Sequence, residues 1–158
     1  MTHSTTAIAG WDIGGVNTKA ALVELEPDGP SAARAISEPL EMERDSALLV
    51  PALRRLAAAL GAAPLAHAVT MTAELSQAFR TKREGIGFVL DALGEAFPGQ
   101  PVKAYAVDGR FLDPAEARER PLEVAAANWA ATARNRSRPL SPGASSASAM
   151  TAIPKKIG

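Results

Sequence analysis

The residues from Asp12 to Lys19, D-I-G-G-V-N-T-K, combine an acid, two glycines and three hydrogen-bond donors within eight positions. Gly14 and Gly15 let a backbone come close to an anion and present its N–H groups. Asn17, Thr18 and Lys19 add an amide, a hydroxyl and an ammonium, each suited to phosphate oxygens. Asp12 is placed to hold the counter-ion, for which magnesium through water is the expectation. A tight turn uses the same glycines for geometry alone. The acid before them and the donors after them favour phosphate binding.

Further candidates lie downstream. In V-T-M-T-A-E-L-S, Thr70, Thr72 and Glu74 fall at the end of an apolar run, where open α/β sheets present ligand-binding side chains. Glu74 is a candidate base or metal partner, although an acid in a first helical turn also stabilises the helix dipole. Lys82 and Arg83 are adjacent cations suited to diphosphate, or to a solvated face. Asp108 and Arg110 flank Gly109 at the end of another strand-like run, as substrate contacts or as a turn. Asn128 could cap a site, and Trp129 beside it reads as core. His67 lies in an apolar run and reads as a hydrogen-bonded core or edge residue.

These residues need a scaffold. Residues 7–13 and 18–25 read as two strands of a hairpin, P-D-G-P at 27–30 as a turn, and 33–42 as a third strand ending near Pro39. Helical spacing predicts a helix over 45–60, capped by Asp45 or Ser46 and stopped at Gly61. A buried strand is expected over 67–72, a helix over 83–97, a strand over 102–108, a helix from Asp113 with Pro114 first, and a helix over 121–134. From Arg134 to Gly158 there are five basic residues, five serines and no acid, which reads as a disordered tail, as do residues 1–6. The abrupt change of vocabulary at Arg134 is that of a truncated or frameshifted product.

Composition narrows the partners. Seventeen basic residues balance seventeen acidic ones, so no net field recruits nucleic acid or an anionic membrane. There are no cysteines, which removes disulfides and thiolate chemistry. No signal peptide and no membrane-spanning run are visible, so the expected location is cytoplasmic.

The blocks GWDIGGVNTKAALV, AVTMTAELSQAF with TKREGIGFVLDAL, YAVDGRFL and AAANWAATA, in this order across residues 7–133, resemble the hydantoinase/oxoprolinase-like proteins of tetrahydromethanopterin-linked C1 transfer, the methanofuran-pathway synthase family. The resemblance implies an α/β fold, the N-terminal lobe of an actin/hexokinase-like (ribonuclease H-like) protein, a mixed sheet with flanking helices. It implies a transferase that condenses an aminomethyl-furan-methanol diphosphate with a tyramine-type phenol such as γ-glutamyltyramine, forming an aryl ether and releasing diphosphate. Its partners are then small molecules. Relatives continue after the Asn128-Trp129 helix into a second lobe with another phosphate hairpin, which this sequence replaces, so an incomplete active site is expected. Two readings stand beside it: an ATP-dependent kinase or oxoprolinase-like enzyme using the same hairpin, and an inactive binding fragment.

Overall fold

The computed structural model describes residues 6–26, 29–61, 64–125 and 127–136. Two long strands, β1 (Thr6–Ile13) and β2 (Asn17–Glu26), form an antiparallel hairpin, and β3 (Gly29–Pro39) pairs antiparallel with β2. A short helix, α1 (Met42–Asp45), and a 3₁₀ turn (Ser46–Leu48) lead into α2 (Leu49–Leu60). The strand β4 (Ala66–Met71) then pairs parallel to β1 on its other side. After a 3₁₀ turn (Ala73–Leu75) come α3 (Lys82–Ala96), β5 (Val102–Tyr105), which is parallel to β4, and the two-residue β6 (Phe111–Leu112). Three short helices follow: α4 (Pro114–Glu119), α5 (Pro121–Val124) and α6 (Asn128–Arg136). The sheet order is β3-β2-β1-β4-β5-β6, three antiparallel strands continued by two parallel ones and ended by the short antiparallel β6. This mixed sheet with flanking helices is the actin/ribonuclease H-like architecture that the resemblance implies.

Alternation along the strands separates two faces. Ala9, Trp11 and Ile13, with Ala20, Leu22, Val69, Met71 and Ala104, form one face and pack against Leu49, Leu53 and Leu56 of α2 and Ile86, Val89 and Leu93 of α3. Asp12, Lys19 and Thr70 occupy the other, by their registers Asp12↔Lys19 and Asp12↔Thr70. Tyr105, on that second face, packs with Ala127 and Ala130 around α6. Among the described residues no helix is long and apolar enough to cross a membrane.

Several expected boundaries move, each for a local reason. The helix expected over 45–60 begins at Leu49, and neither Asp45 nor Ser46 caps it with a side chain. Pro51 lacks an N–H and its ring would strike the carbonyl four residues back, so it is tolerated only in a first turn. Gly61 does end the helix, with φ +87° and its N–H on the Ala58 carbonyl. The strand expected to reach Asp108 stops at Tyr105, because Gly109 (φ +91°) donates to the Ala106 carbonyl and Ala106 to the Arg110 carbonyl, closing a hairpin to β6. The single helix expected over 121–134 is two, since Ala125 is extended and bridges Met71 in parallel. Trp129, read as core, is 63% exposed. The tail expectation falls outside the described residues, except that α6 continues to Arg136.

His67 is core, as read. It is 1% exposed, stacked at 4.0 Å between ring centroids on Phe97, and its Nδ1 accepts from Trp11 Nε1 at 3.0 Å. Its Nε2 then carries the proton and donates to Gln100 Oε1 at 2.6 Å. Burial lowers the pKa of His67, against a smaller raising effect of the Gln100 bond. The imidazolium would also face the indole N–H with a second N–H, so the native state resists the proton. The folded value lies below the unfolded one near 6.5, so this contribution to stability is complete above that pH and declines as pH falls through it. Urea denaturation at pH 7.5 and 5.5 should therefore show a loss of stability on acidification that His67→Gln reduces. Equal losses in both proteins would refute the assignment.

Candidate functional site

The C-terminal ends of β1 and β4 lie side by side, with Ile13 in register with Met71. Beyond them the chain makes two turns that touch. The Thr72 N–H donates to the Ile13 carbonyl at 2.9 Å, tying the second turn to the first. Gly14 closes the hairpin by donating its own N–H to the Asn17 carbonyl at 2.9 Å. A Cβ on Gly14 would sit 3.0 Å from that carbonyl oxygen and 3.5 Å from Thr72 Oγ1, and one on Gly15 would meet Ser76 Cβ at 3.9 Å. Neither glycine has positive φ among the described residues. Close approach, at its tightest at Gly14, is what the glycines provide. Leu40 and Met42 donate to the carbonyls of Val16 and Gly15 from the other side, at 3.0 and 2.7 Å, so the turn is held by its backbone on both flanks.

At this edge the sheet presents Asp12 and Lys19 as directly opposed partners, with Lys19 Nζ 3.3 Å from Asp12 Oδ2. Thr70 sits across from Asp12 on β4, its hydroxyl 3.4 Å from the Trp11 carbonyl. Asp12, Gly14, Gly15, Asn17, Lys19 and Thr72 are thus gathered at one mouth. The arrangement can hold an anion: an exposed ammonium, a threonine hydroxyl and a turn whose glycines leave room. The Gly14 N–H is committed to the hairpin and is not among the free donors.

Other expected residues fall elsewhere. Thr18 points to the helix-covered face, 0% exposed, opposite Ile13, and its hydroxyl has no hydrogen-bond partner among the described residues. Glu74 is 3% exposed, packed in the 3₁₀ turn against Gly85 of α3. Lys82 and Arg83 open α3, which lies across the sheet from Asp12. Thr81 caps this helix by accepting from the Glu84 N–H while the Glu84 carboxylate accepts from the Arg80 N–H, a reciprocal cap. Arg83 donates to the Arg118 carbonyl. Asp108 and Arg110 bind each other, and Arg110 also meets Glu123 at 2.8 Å and Glu116 at 3.9 Å, a network that raises the Arg110 pKa, first through the Asp108 hydrogen bond. These ion pairs brace the β5-β6 hairpin against α4 and α5. Asn128 starts α6 on the Asp12 side of the sheet and accepts a hydrogen bond from Thr132 on its carbonyl.

Gly85 is the residue that reading along the chain overlooks. A glycine inside a helix, in G-I-G, gives no sign of which neighbour it admits, and only the packing shows that Glu74 fills the space.

Burying a hydroxyl without a partner costs about 1–3 kcal/mol. Thr18→Val, which keeps the shape, should therefore leave anion binding unchanged and raise stability by up to that amount in chemical denaturation. Weakened anion binding in a fully folded T18V protein would show that Thr18 reaches the ligand after all.

The sequence pattern of the Hydantoinase/oxoprolinase family matches residues 66–139. Across 127 residues, 80% of the chain, the protein is 36% identical to the (4-{4-[2-(gamma-L-glutamylamino)ethyl]phenoxymethyl}furan-2-yl)methanamine synthase of Methanocaldococcus jannaschii. The match covers 36% of that relative, so the chain spans little more than a third of its length. Among solved structures, an Aquifex aeolicus Ppx/GppA family member is 12% identical with a TM-score of 0.38, over 62% of this chain and 35% of that one. Thermus thermophilus RuvC is 23% identical with a TM-score of 0.39, over 93% and 92% of the two chains. Superpositions this loose add nothing to the strand order, on which the fold assignment rests. The family pattern takes in β4 and the Thr72 turn but begins after the Gly-Gly hairpin, and over residues 66–139 the chain is similar to the hydantoinase/oxoprolinase family.

Proposed function

We propose that this chain is the diphosphate-binding lobe of a transferase that joins an aminomethyl-furan-methanol diphosphate to a tyramine-type phenol, γ-glutamyltyramine or an analogue. The observation that carries the reading is the 36% identity to a synthase whose product contains a phenoxymethyl-furan ether. The mouth at Asp12 supports it by offering donors for the leaving group. In the reaction the phenolic oxygen forms a bond to the furan methylene carbon, the bond from that carbon to the diphosphate oxygen breaks, and the phenolic proton leaves to a base. Charge building on the departing diphosphate is stabilised by positioned donors, here Lys19, the Thr72 hydroxyl and the Asn17 amide. Asp12 is the accessible carboxylate for the proton, and Glu74 the buried one.

Magnesium belongs to the same proposal. Among the described residues no group of three acidic, histidine or cysteine side chains could hold a metal ion. Magnesium bound through one carboxylate, water and substrate phosphates needs no such group. Asp12 fits that role once an anion draws Lys19 away from it, and the ion would neutralise leaving-group charge.

Isothermal titration with inorganic diphosphate, with and without magnesium, tests the site directly. A charge-assisted hydrogen bond contributes about 1.5–3 kcal/mol, so Lys19→Ala should weaken binding roughly ten- to a hundredfold. Asp12→Asn separates two roles. If Asp12 holds magnesium, the variant loses the magnesium dependence; if it only neutralises Lys19, the variant binds diphosphate more tightly without metal. A diphosphate-release assay with the furan diphosphate and tyramine-type acceptors tests the reaction, and ATP hydrolysis or protection by ATP instead would favour the oxoprolinase-like use of the hairpin. Absence of any diphosphate binding would refute the proposal.

A further inference from the structure

We infer that Gly85 is a positioning residue for the mouth, setting the depth at which the Thr72–Ser76 turn meets the hairpin; this deepens the diphosphate reading and rests on it for its functional meaning. A Cβ on Gly85 would lie 2.6 Å from Glu74 Cα, 2.9 Å from Glu74 Cβ and 2.9 Å from Phe79 Cδ2. The first contact is with backbone, so no side-chain rotation relieves it. One of the two bodies must move.

The helix is the less free of the two. Ile86, Val89, Leu90 and Leu93 of α3 are buried in the main core beside Leu53 and Trp11. Its start is fixed by the reciprocal cap of Thr81 and Glu84. The turn has one flank against α3 and the other against the hairpin, where the Thr72 N–H holds Ile13 and the Thr72 hydroxyl stands 3.5 Å from the Cβ position of Gly14. Pushed away from α3, the turn transmits its displacement to the Thr72-Gly14 contact. The turn is therefore seated between Gly14 and Gly15 on one side and Gly85 on the other.

The other glycines of α3 supply controls. A Cβ on Gly87 would meet only the end of the Arg118 side chain, at 3.0 Å, and one on Gly94 would meet nothing within 4 Å. Gly94→Ala should thus raise helix stability without touching the mouth.

The test compares Gly85→Ala with Gly94→Ala in the whole chain, reading the amide ¹H–¹⁵N resonances of Gly14, Gly15 and Thr72 and the affinity for inorganic diphosphate. G85A is expected to shift those three resonances and weaken diphosphate binding by about tenfold, the effect of losing one hydrogen bond to the anion. G94A should do neither. The double variant G85A/G94A should regain thermal stability without regaining affinity, and it replaces G85A if the single variant does not fold. Hairpin resonances unmoved in folded G85A would overturn the inference. If the wild-type chain binds no diphosphate, the functional reading fails, and the resonance shifts still decide whether Gly85 positions the turn.

Discussion

The parallel pairing of β1 with β4 is the constraint on which the mouth depends. It brings two strand ends from far apart in the chain to one edge, and its register aligns Asp12 with Thr70 and Ile13 with Met71. Backbone pairing alone does not choose the alignment, but a slip of one residue would exchange the two faces, so the burial of one face specifies it strongly. Trp11 and His67 specify it. Their hydrogen bond, with Phe97 packed on both rings, is available only when the two strands lie in this register and both side chains face α3. A slip would bring Asp12 into the core and expose the indole. The buried tryptophan and the polar mouth are thus two consequences of one alignment, on adjacent residues of one strand.

Much of the scaffold was legible along the chain because its signals are local. The Gly-Gly hairpin, the stop at Gly61 and Pro114 at the head of α4 each depend on a few neighbouring residues. What sequence reading misplaced depends on contacts across the chain. Ala125 interrupts an alanine-rich helical pattern because it pairs with Met71. Trp129 belongs by type to the core, yet its position on α6 leaves it outside.

The candidate site divides along the same line. Asp12, Gly14, Gly15, Asn17 and Lys19 lie together through one local hairpin, whereas Thr72 joins them only through the pairing of β1 with β4. Thr18 was grouped with its neighbours by adjacency, but in a strand adjacent residues face opposite sides, and its hydroxyl goes to the core. Arg83 and Arg110 have a suitable charge for phosphate, but charge does not reveal that each is already engaged. Gly85 acts only through the turn it admits.

These engagements bear on how the mouth handles charge. Arg110 is surrounded by Asp108, Glu116 and Glu123, Arg118 is paired with Asp91, and Arg83 is bound to a carbonyl. Lys19, the cation on the mouth itself, is partnered by Asp12. A diphosphate arriving there must compete with a carboxylate for that ammonium, and it then places its own negative charge beside the released Asp12. Two like charges at such a distance repel, and the repulsion is strongest where water is excluded. The hairpin therefore favours an anion strongly only if a further positive charge enters with it. On the proposed reading, magnesium carried by the diphosphate would be one such source, since it would turn Asp12 from a competitor into a ligand. Without an added cation, the pair of Asp12 and Lys19 is a nearly neutral surface ion pair between opposed residues of β1 and β2.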